Sequence, residues 1–177
     1  MNELEAIAKE VRGCTRCPLA KGRKNAVPGE GGRGGLMLVG EAPGRSEDEQ
    51  GRPFVGPAGK KLDEALRKAG VERREVFITS VVKCRPPGNR EPKPEEVAAC
   101  RGYLERQVEA VGPKAIVLLG RVAYSAFTGK KGRMKRGLIG ELGGAKLYAT
   151  YHPAVALHGR PSWLKVIVED IKVAAKS

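Results

Sequence analysis

The feature that most constrains this 177-residue chain is a set of four short, unbroken apolar runs, each stopping at a loop of unusual composition. Leu36-Met37-Leu38-Val39 stops at Gly40. Val76 to Val82 runs into Lys83-Cys84. Ala115-Ile116-Val117-Leu118-Leu119 stops at Gly120. Leu147-Tyr148-Ala149-Thr150 runs into Tyr151-His152. Strands without apolar–polar alternation are covered on both faces, as in parallel sheets. Helical spacing separates them. Leu4, Ile7, Ala8 and Val11 precede Gly13; Leu62, Ala65, Leu66 and Ala69 precede Gly70; Pro94-Glu95-Glu96 open a helix reaching about Val111. A short helix over Val122–Phe127 and a last one over Trp163–Ala175 complete the alternation. It predicts an α/β fold with a central, mostly parallel four-stranded sheet, in one domain spanning residues 1–177. The segments 21–35, 41–57, 84–94, 130–137 and 152–160 read as loops.

In such sheets the ligand sits beyond the carboxyl ends of the strands. The loops after Val39, Val82, Leu119 and Thr150 are therefore expected to line the site. The net charge of +13 and a sequence pI near 9.9 point to a polyanion, with nucleic acid the first candidate. The basic run Lys130, Lys131, Arg133, Lys135, Arg136 is the local candidate for phosphate contact. No run reaches the 18 or more apolar residues of a membrane span. The N-terminus is polar and acidic, unlike a signal peptide. A cytoplasmic protein without membrane association is the expectation.

In that compartment four cysteines are better read as thiolate ligands than as disulfides. Cys14 and Cys17 form a CxxC after the first helix, Cys84 follows the second strand, and Cys100 lies one helix away. Four thiols suit a tetrahedral zinc or a cubane cluster, and composition leaves both open.

The loops carry the remaining chemistry. Gly40-Glu41-Ala42-Pro43-Gly44 puts a carboxylate at a strand end, where it can hold water or offset developing positive charge, between glycines that let backbone approach a ligand. Gly51-Arg52-Pro53-Phe54-Val55-Gly56 presents an aromatic ring suited to stacking a base. Tyr151-His152-Pro153-Ala154 places a histidine at a strand end, held by the next proline.

GEAPG, GRPFVG, the strand leading into VVKCRPP, and YHPA, in this order with these cysteines, resemble the family 4 uracil-DNA glycosylases over Cys14 to Leu157. The resemblance implies a three-layer α/β/α fold and a structural [4Fe–4S] cluster on Cys14, Cys17, Cys84 and Cys100. It implies a monofunctional, monomeric repair enzyme, associated with the nucleoid, that acts on uracil in single- or double-stranded DNA and leaves an abasic site. Uracil would lie on Phe54, with Gly40, Ala42 and Ser80 reading its edge and Glu47 near C5, crowding out a thymine methyl. Glu41 and His152 would be catalytic. Lys131, Arg133 and Arg136 would hold phosphates, and Leu157 would wedge into the gap left by the flipped base. One position departs from the pattern. Ser80 stands where the family usually has Asn, so altered base specificity, or damaged-DNA binding without excision, is an alternative. A zinc-bearing nucleic-acid-binding module is the other.

Overall fold

The structure, a computed structural model, describes residues 1–177. In chain order the elements are α1 (Glu3–Arg12), α2 (Leu19–Gly22), β1 (Leu36–Gly40), α3 (Arg45–Gln50), α4 (Pro57–Lys68), β2 (Phe77–Ser80), α5 (Pro94–Val111), β3 (Ala115–Leu119), α6 (Arg121–Thr128), β4 (Gly137–Leu142), β5 (Ala145–Thr150) and α7 (Trp163–Ala175).

The sheet has five strands in the order β2-β1-β3-β5-β4. The first four are parallel, and β4 is antiparallel to β5 at the edge. The sequence pointed to four strands. It missed β4 because Gly137-Leu138-Ile139-Gly140-Glu141-Leu142 is largely exposed and broken by glycines, and its ladder carries an irregularity between Leu138 and Gly140. What makes it a strand is the turn. Gly143 and Gly144 both adopt positive φ, at 56° and 84°, which the tight connection to β5 requires.

Alternate residues of each buried strand feed opposite faces. Met37, Val39, Phe77, Ile116, Leu118 and Leu147 pack with Ile7 and Val11 of α1, Tyr103 and Leu104 of α5, and Ala123 and Tyr124 of α6. Leu36, Leu38, Ile78, Val117, Leu119 and Tyr148 pack with Leu62 and Leu66 of α4 and Leu164, Ile167 and Ile171 of α7. Helices therefore cover both faces of the sheet.

Two further differences from the sequence reading concern the site. β2 ends at Ser80 rather than Val82, and Val81 N–H makes a last bond to the Gly40 carbonyl at 3.0 Å as the chain leaves the sheet. The segment expected to be irregular after Glu41 contains α3. Its six residues are too few to show a helical period, and they form because Glu47 accepts the Gly44 N–H at its own N-terminus, 3.0 Å away. α5 begins at Pro94 and ends at Val111 as expected, with Glu96 accepting Lys93 N–H at 2.7 Å and Gly112 left-handed at the end.

Candidate active site

The carboxyl ends of β1, β2, β3 and β5 lie along one rim of the sheet, and the residues singled out by sequence cluster there. Gly40 and Ser80 are the paired last residues of β1 and β2. Phe54 comes from the α3–α4 loop and lays its ring across Gly40. A Cβ at Gly40 would stand 2.6 Å from Phe54 Cζ and 3.5 Å from Ser80 Oγ. Only a glycine strand end admits the ring at this height. On the other side, the Phe54 ring centroid is 5.7 Å from that of His152. Gly40, Phe54, Ser80 and His152 thus come together in one cluster at this rim.

Phe54 is buried and its φ is +48°, an unfavourable conformation for a bulky side chain. The loop is held from below. Arg73 donates to the Phe54 carbonyl at 2.9 Å and the Pro53 carbonyl at 2.6 Å, and pairs with Asp63 at 2.7 Å. Gly59 of α4 lies directly against the Phe54 backbone, leaving no room for a side chain. Glu47 accepts the Val55 N–H at 2.8 Å and the Gly56 N–H at 2.7 Å, in addition to that of Gly44. Its carboxylate is therefore engaged by three backbone donors and staples the GEAPG loop to the GRPFVG loop, which the sequence reading of Glu47 as a residue at the base edge did not foresee.

His152 follows β5. Its Nδ1 accepts the Ala154 N–H at 3.1 Å, which leaves Nε2 to carry the proton of the neutral ring. Burial lowers its pKa to about 4, against a smaller opposing effect of the nearby Glu47 charge. Gly120, with φ +98°, makes room for it, since a Cβ there would sit 3.0 Å from His152 Cβ. Glu41 immediately follows Gly40. Burial raises its pKa, the Glu91 charge adds to the rise, and Arg121 opposes both. Glu91 and Arg121 form an ion pair of their own beside it. Ala42 packs against the core on the α1–α5–α6 side.

The proposed DNA contacts divide. Lys131 and Arg133 are exposed in the loop that enters β4. Gly137 pairs with Ala149, so this loop arrives at the same rim of the sheet as that cluster. Arg136 is different. It pairs with Asp170 of α7 at 3.3 Å, and Asp170 also accepts from Thr150 Oγ1 at 2.6 Å. Arg136 thus has an intramolecular partner on α7. Leu157 is exposed just beyond His152. Near it Tyr151 packs on Trp163 at 4.7 Å, and Arg160 lies over the Trp163 ring.

The four cysteines are all free and line one pocket between α1, the exit of β2 and α5. Arg23 donates to Cys84 Sγ at 3.2 Å and to the Cys14 carbonyl at 2.8 Å, and Arg16 N–H donates to Cys14 Sγ at 3.4 Å. Burial pushes the Cys84 thiol up and the Cys100 thiol up to about 11. No three of these side chains are drawn together as ligands of a single ion.

Lys83 went unremarked in the sequence, although a lysine between two valines and a cysteine is out of place at a buried strand exit. It is fully buried. Its Nζ donates to Thr79 Oγ1 at 2.6 Å, the Ser80 carbonyl at 2.8 Å and Gln107 Oε1 at 2.6 Å. Burial pulls its pKa down to about 7. Three acceptors use all three ammonium protons, whereas a neutral amine would have only two to give. Asp48 is a second residue without a sequence signal. It accepts the Lys24 N–H at 2.9 Å and the Asn25 N–H at 3.3 Å, tying α3 to the segment after α2.

Comparison with known proteins gives a consistent picture. Residues 28–172 match the family model described as the uracil DNA glycosylase superfamily. A type-4 uracil-DNA glycosylase of Saccharolobus solfataricus is 46% identical, with 97% of this chain and 85% of the relative covered. One of Thermotoga maritima is also 46% identical, covering 97% and 92%, and one of Pyrobaculum aerophilum is 49% identical, covering 88% and 85%. The crystal structure of wild-type Pedobacter heparinus SMUG2 matches with a TM-score of 0.53 at 12% identity, over 81% of this chain and 75% of that one, a likeness of fold alone.

Proposed function

Because this chain belongs to the uracil DNA glycosylase superfamily, and within it to the type-4 enzymes, we propose that it excises uracil from DNA at the pocket formed by Gly40, Phe54, Ser80 and His152. The observation that carries this reading is the Phe54 ring laid across Gly40, with a neutral histidine 5.7 Å from it and a strand-end hydroxyl alongside.

A base must leave the duplex stack to reach such a site. Its face would stack on Phe54, and its edge would meet Ser80 and the backbone at Gly40 and Ala42. Breaking the C1′–N1 bond puts negative charge on uracil O2 and positive charge on the sugar. His152, with its proton on Nε2, is the donor for O2, and a preorganised donor of this kind is typically worth ~3–4 kcal/mol in the transition state. A neutral donor suits the task, since it can strengthen its bond as charge develops without first losing a proton. Glu41, partly desolvated at the strand end, orients the attacking water or offsets the sugar charge. Glu47 acts one layer back, fixing both loops. Lys131 and Arg133 would meet phosphates, and Leu157 would fill the vacated position in the stack.

Cys14, Cys17, Cys84 and Cys100 are the residues that would hold a [4Fe–4S] cluster. The donor set fits. All four thiols face one pocket with Arg23 at hand to offset thiolate charge. A cubane takes each thiolate on its own iron. The cluster would serve structurally, joining α1, the β2 exit and α5. The whole chain acts as one catalytic domain, in solution as a monomer.

The test is base release from oligonucleotides carrying uracil, thymine, cytosine or hypoxanthine, using protein whose iron and sulfide are assayed in parallel. Uracil release with about four irons and four sulfides per chain is expected. DNA binding without release, or one zinc and no iron, would favour the damaged-DNA-binding or zinc-module alternatives. The hydroxyl of Ser80 reaches less far than an amide and both donates and accepts. Ser80→Asn should therefore raise uracil release or sharpen its preference over hypoxanthine.

A further inference from the structure

The reading of Ser80 as a base-edge residue leaves open what fixes Ser80, which sits where β2 abandons the sheet. We infer that Lys83 is the positioning residue for the uracil pocket: its buried ammonium pins the Ser80 backbone from behind and ties it to the wall of the cysteine pocket.

Three observations support this. First, the three acceptors of Lys83 are neutral oxygens from different parts of the fold. Thr79 and Ser80 are the last two residues of β2, and Gln107 lies on α5. Second, the network does not stop there. Gln107 Nε2 donates to the Pro28 carbonyl at 2.6 Å, Thr79 Oγ1 donates to the same carbonyl at 3.1 Å, and the Lys83 carbonyl accepts the Val27 N–H at 2.7 Å. The end of β2, α5 and the 27–28 segment thus converge on one charged group. Third, Lys83 lines the cysteine pocket together with Cys100, and the next residue is Cys84. One residue therefore touches both sites.

Burying an ammonium without a carboxylate partner is costly, and three well-aligned acceptors are the compensation. A purely structural need at this place would be met by an apolar side chain of similar length. The geometry instead aims a charge-assisted donor at the carbonyl of the residue that meets the base. With that donor gone, the Ser80–Val81 peptide keeps only the bond from Val81 N–H to the Gly40 carbonyl, and the hydroxyl is held less firmly.

The test uses the iron-loaded protein and three variants: Lys83→Met, Ser80→Ala and the pair combined. Iron per chain, melting temperature, affinity for free uracil by calorimetry and single-turnover excision are read for each. Lys83→Met should weaken free-uracil binding and slow excision by roughly tenfold or more, the scale of one charge-assisted hydrogen bond. The combined variant should be no slower than the worse of the two singles, because Lys83 acts through Ser80. Unchanged uracil affinity and excision in Lys83→Met, or losses that multiply in the combined variant, would overturn the inference. If Lys83→Met fails to fold or loses its iron, Thr79→Val decides, since it removes one acceptor and leaves the lysine and the cysteines in place. Weaker uracil binding with iron intact then supports the inference, and unaltered binding overturns it. Absence of excision by the unmodified protein would instead sink the functional assignment itself.

Discussion

His152 Nδ1 accepts the main-chain N–H of Ala154, two residues further along the same loop, at 3.1 Å. This bond fixes the ring and its tautomer together, and burial keeps the ring neutral down to about pH 4. Excision measured between pH 5 and 8 should show no inflection near 6.5, the ordinary histidine value. Stability carries the complementary signature. The folded pKa is depressed, so the unfolded chain binds the extra proton between about 6.5 and 4, and stability drains away as pH falls through that window. Denaturant midpoints of His152→Asn should fall less steeply over the same range. An inflection in excision near 6.5 that vanishes in His152→Asn would show that the ring titrates normally.

Gly40→Ala tests the stacking wall. Its Cβ would meet Phe54 Cζ at 2.6 Å and Cε2 at 2.7 Å, so the ring must move off the position it now covers. Excision should fall at least tenfold, the scale of losing a base–aromatic stack worth ~1–3 kcal/mol, with a smaller loss of melting temperature. Wild-type excision in this variant would mean that Phe54 is not the surface on which the base rests.

Much of this site is legible in the sequence because its parts sit at strand ends. Apolar runs stopping at Gly40 and Gly120 locate the rim, and Glu41, Phe54, Ser80 and His152 all fall within a few residues of it or in the adjoining loop. What escapes is whatever depends on tertiary partners. β4 has no apolar run to announce it, since it is exposed and depends on pairing with β5. Arg136 looks like its basic neighbours, and only Asp170 on a distant helix distinguishes it. Glu47 and Lys83 act through backbone groups of other segments, which no local pattern records.

Glu47 gives a prediction that separates its two readings. Glu47→Gln presents an amide N–H₂ where three backbone N–H groups now find acceptors. At least one buried donor is orphaned, at a cost of ~1–3 kcal/mol. Melting temperature and uracil excision should both fall, with thymine still refused. Gain of thymine release at unchanged stability would return the carboxylate to the base edge.

The basic loop should divide under salt titration. Neutralising Lys131 and Arg133 together should flatten the dependence of DNA affinity on salt by up to ~2 units of log–log slope, since each phosphate contact contributes ~0.9. Arg136→Ala should leave the slope nearly unchanged and lower the melting temperature, because it strips Asp170 of a partner. A slope change in Arg136→Ala as large as in the other two would show that DNA displaces the Asp170 pair.

The central claim is that the carboxyl-end rim of the sheet is a uracil-excising site, and Glu41 is the residue on which it turns. Single-turnover release of uracil from a single-stranded oligonucleotide, compared between the unmodified protein and Glu41→Ala, tests it most directly. Release leaving an abasic site is expected, slowed by about 10²-fold or more in the variant, on the scale of losing one preorganised transition-state group, with affinity for abasic DNA retained. Equal rates in the two proteins would contradict it.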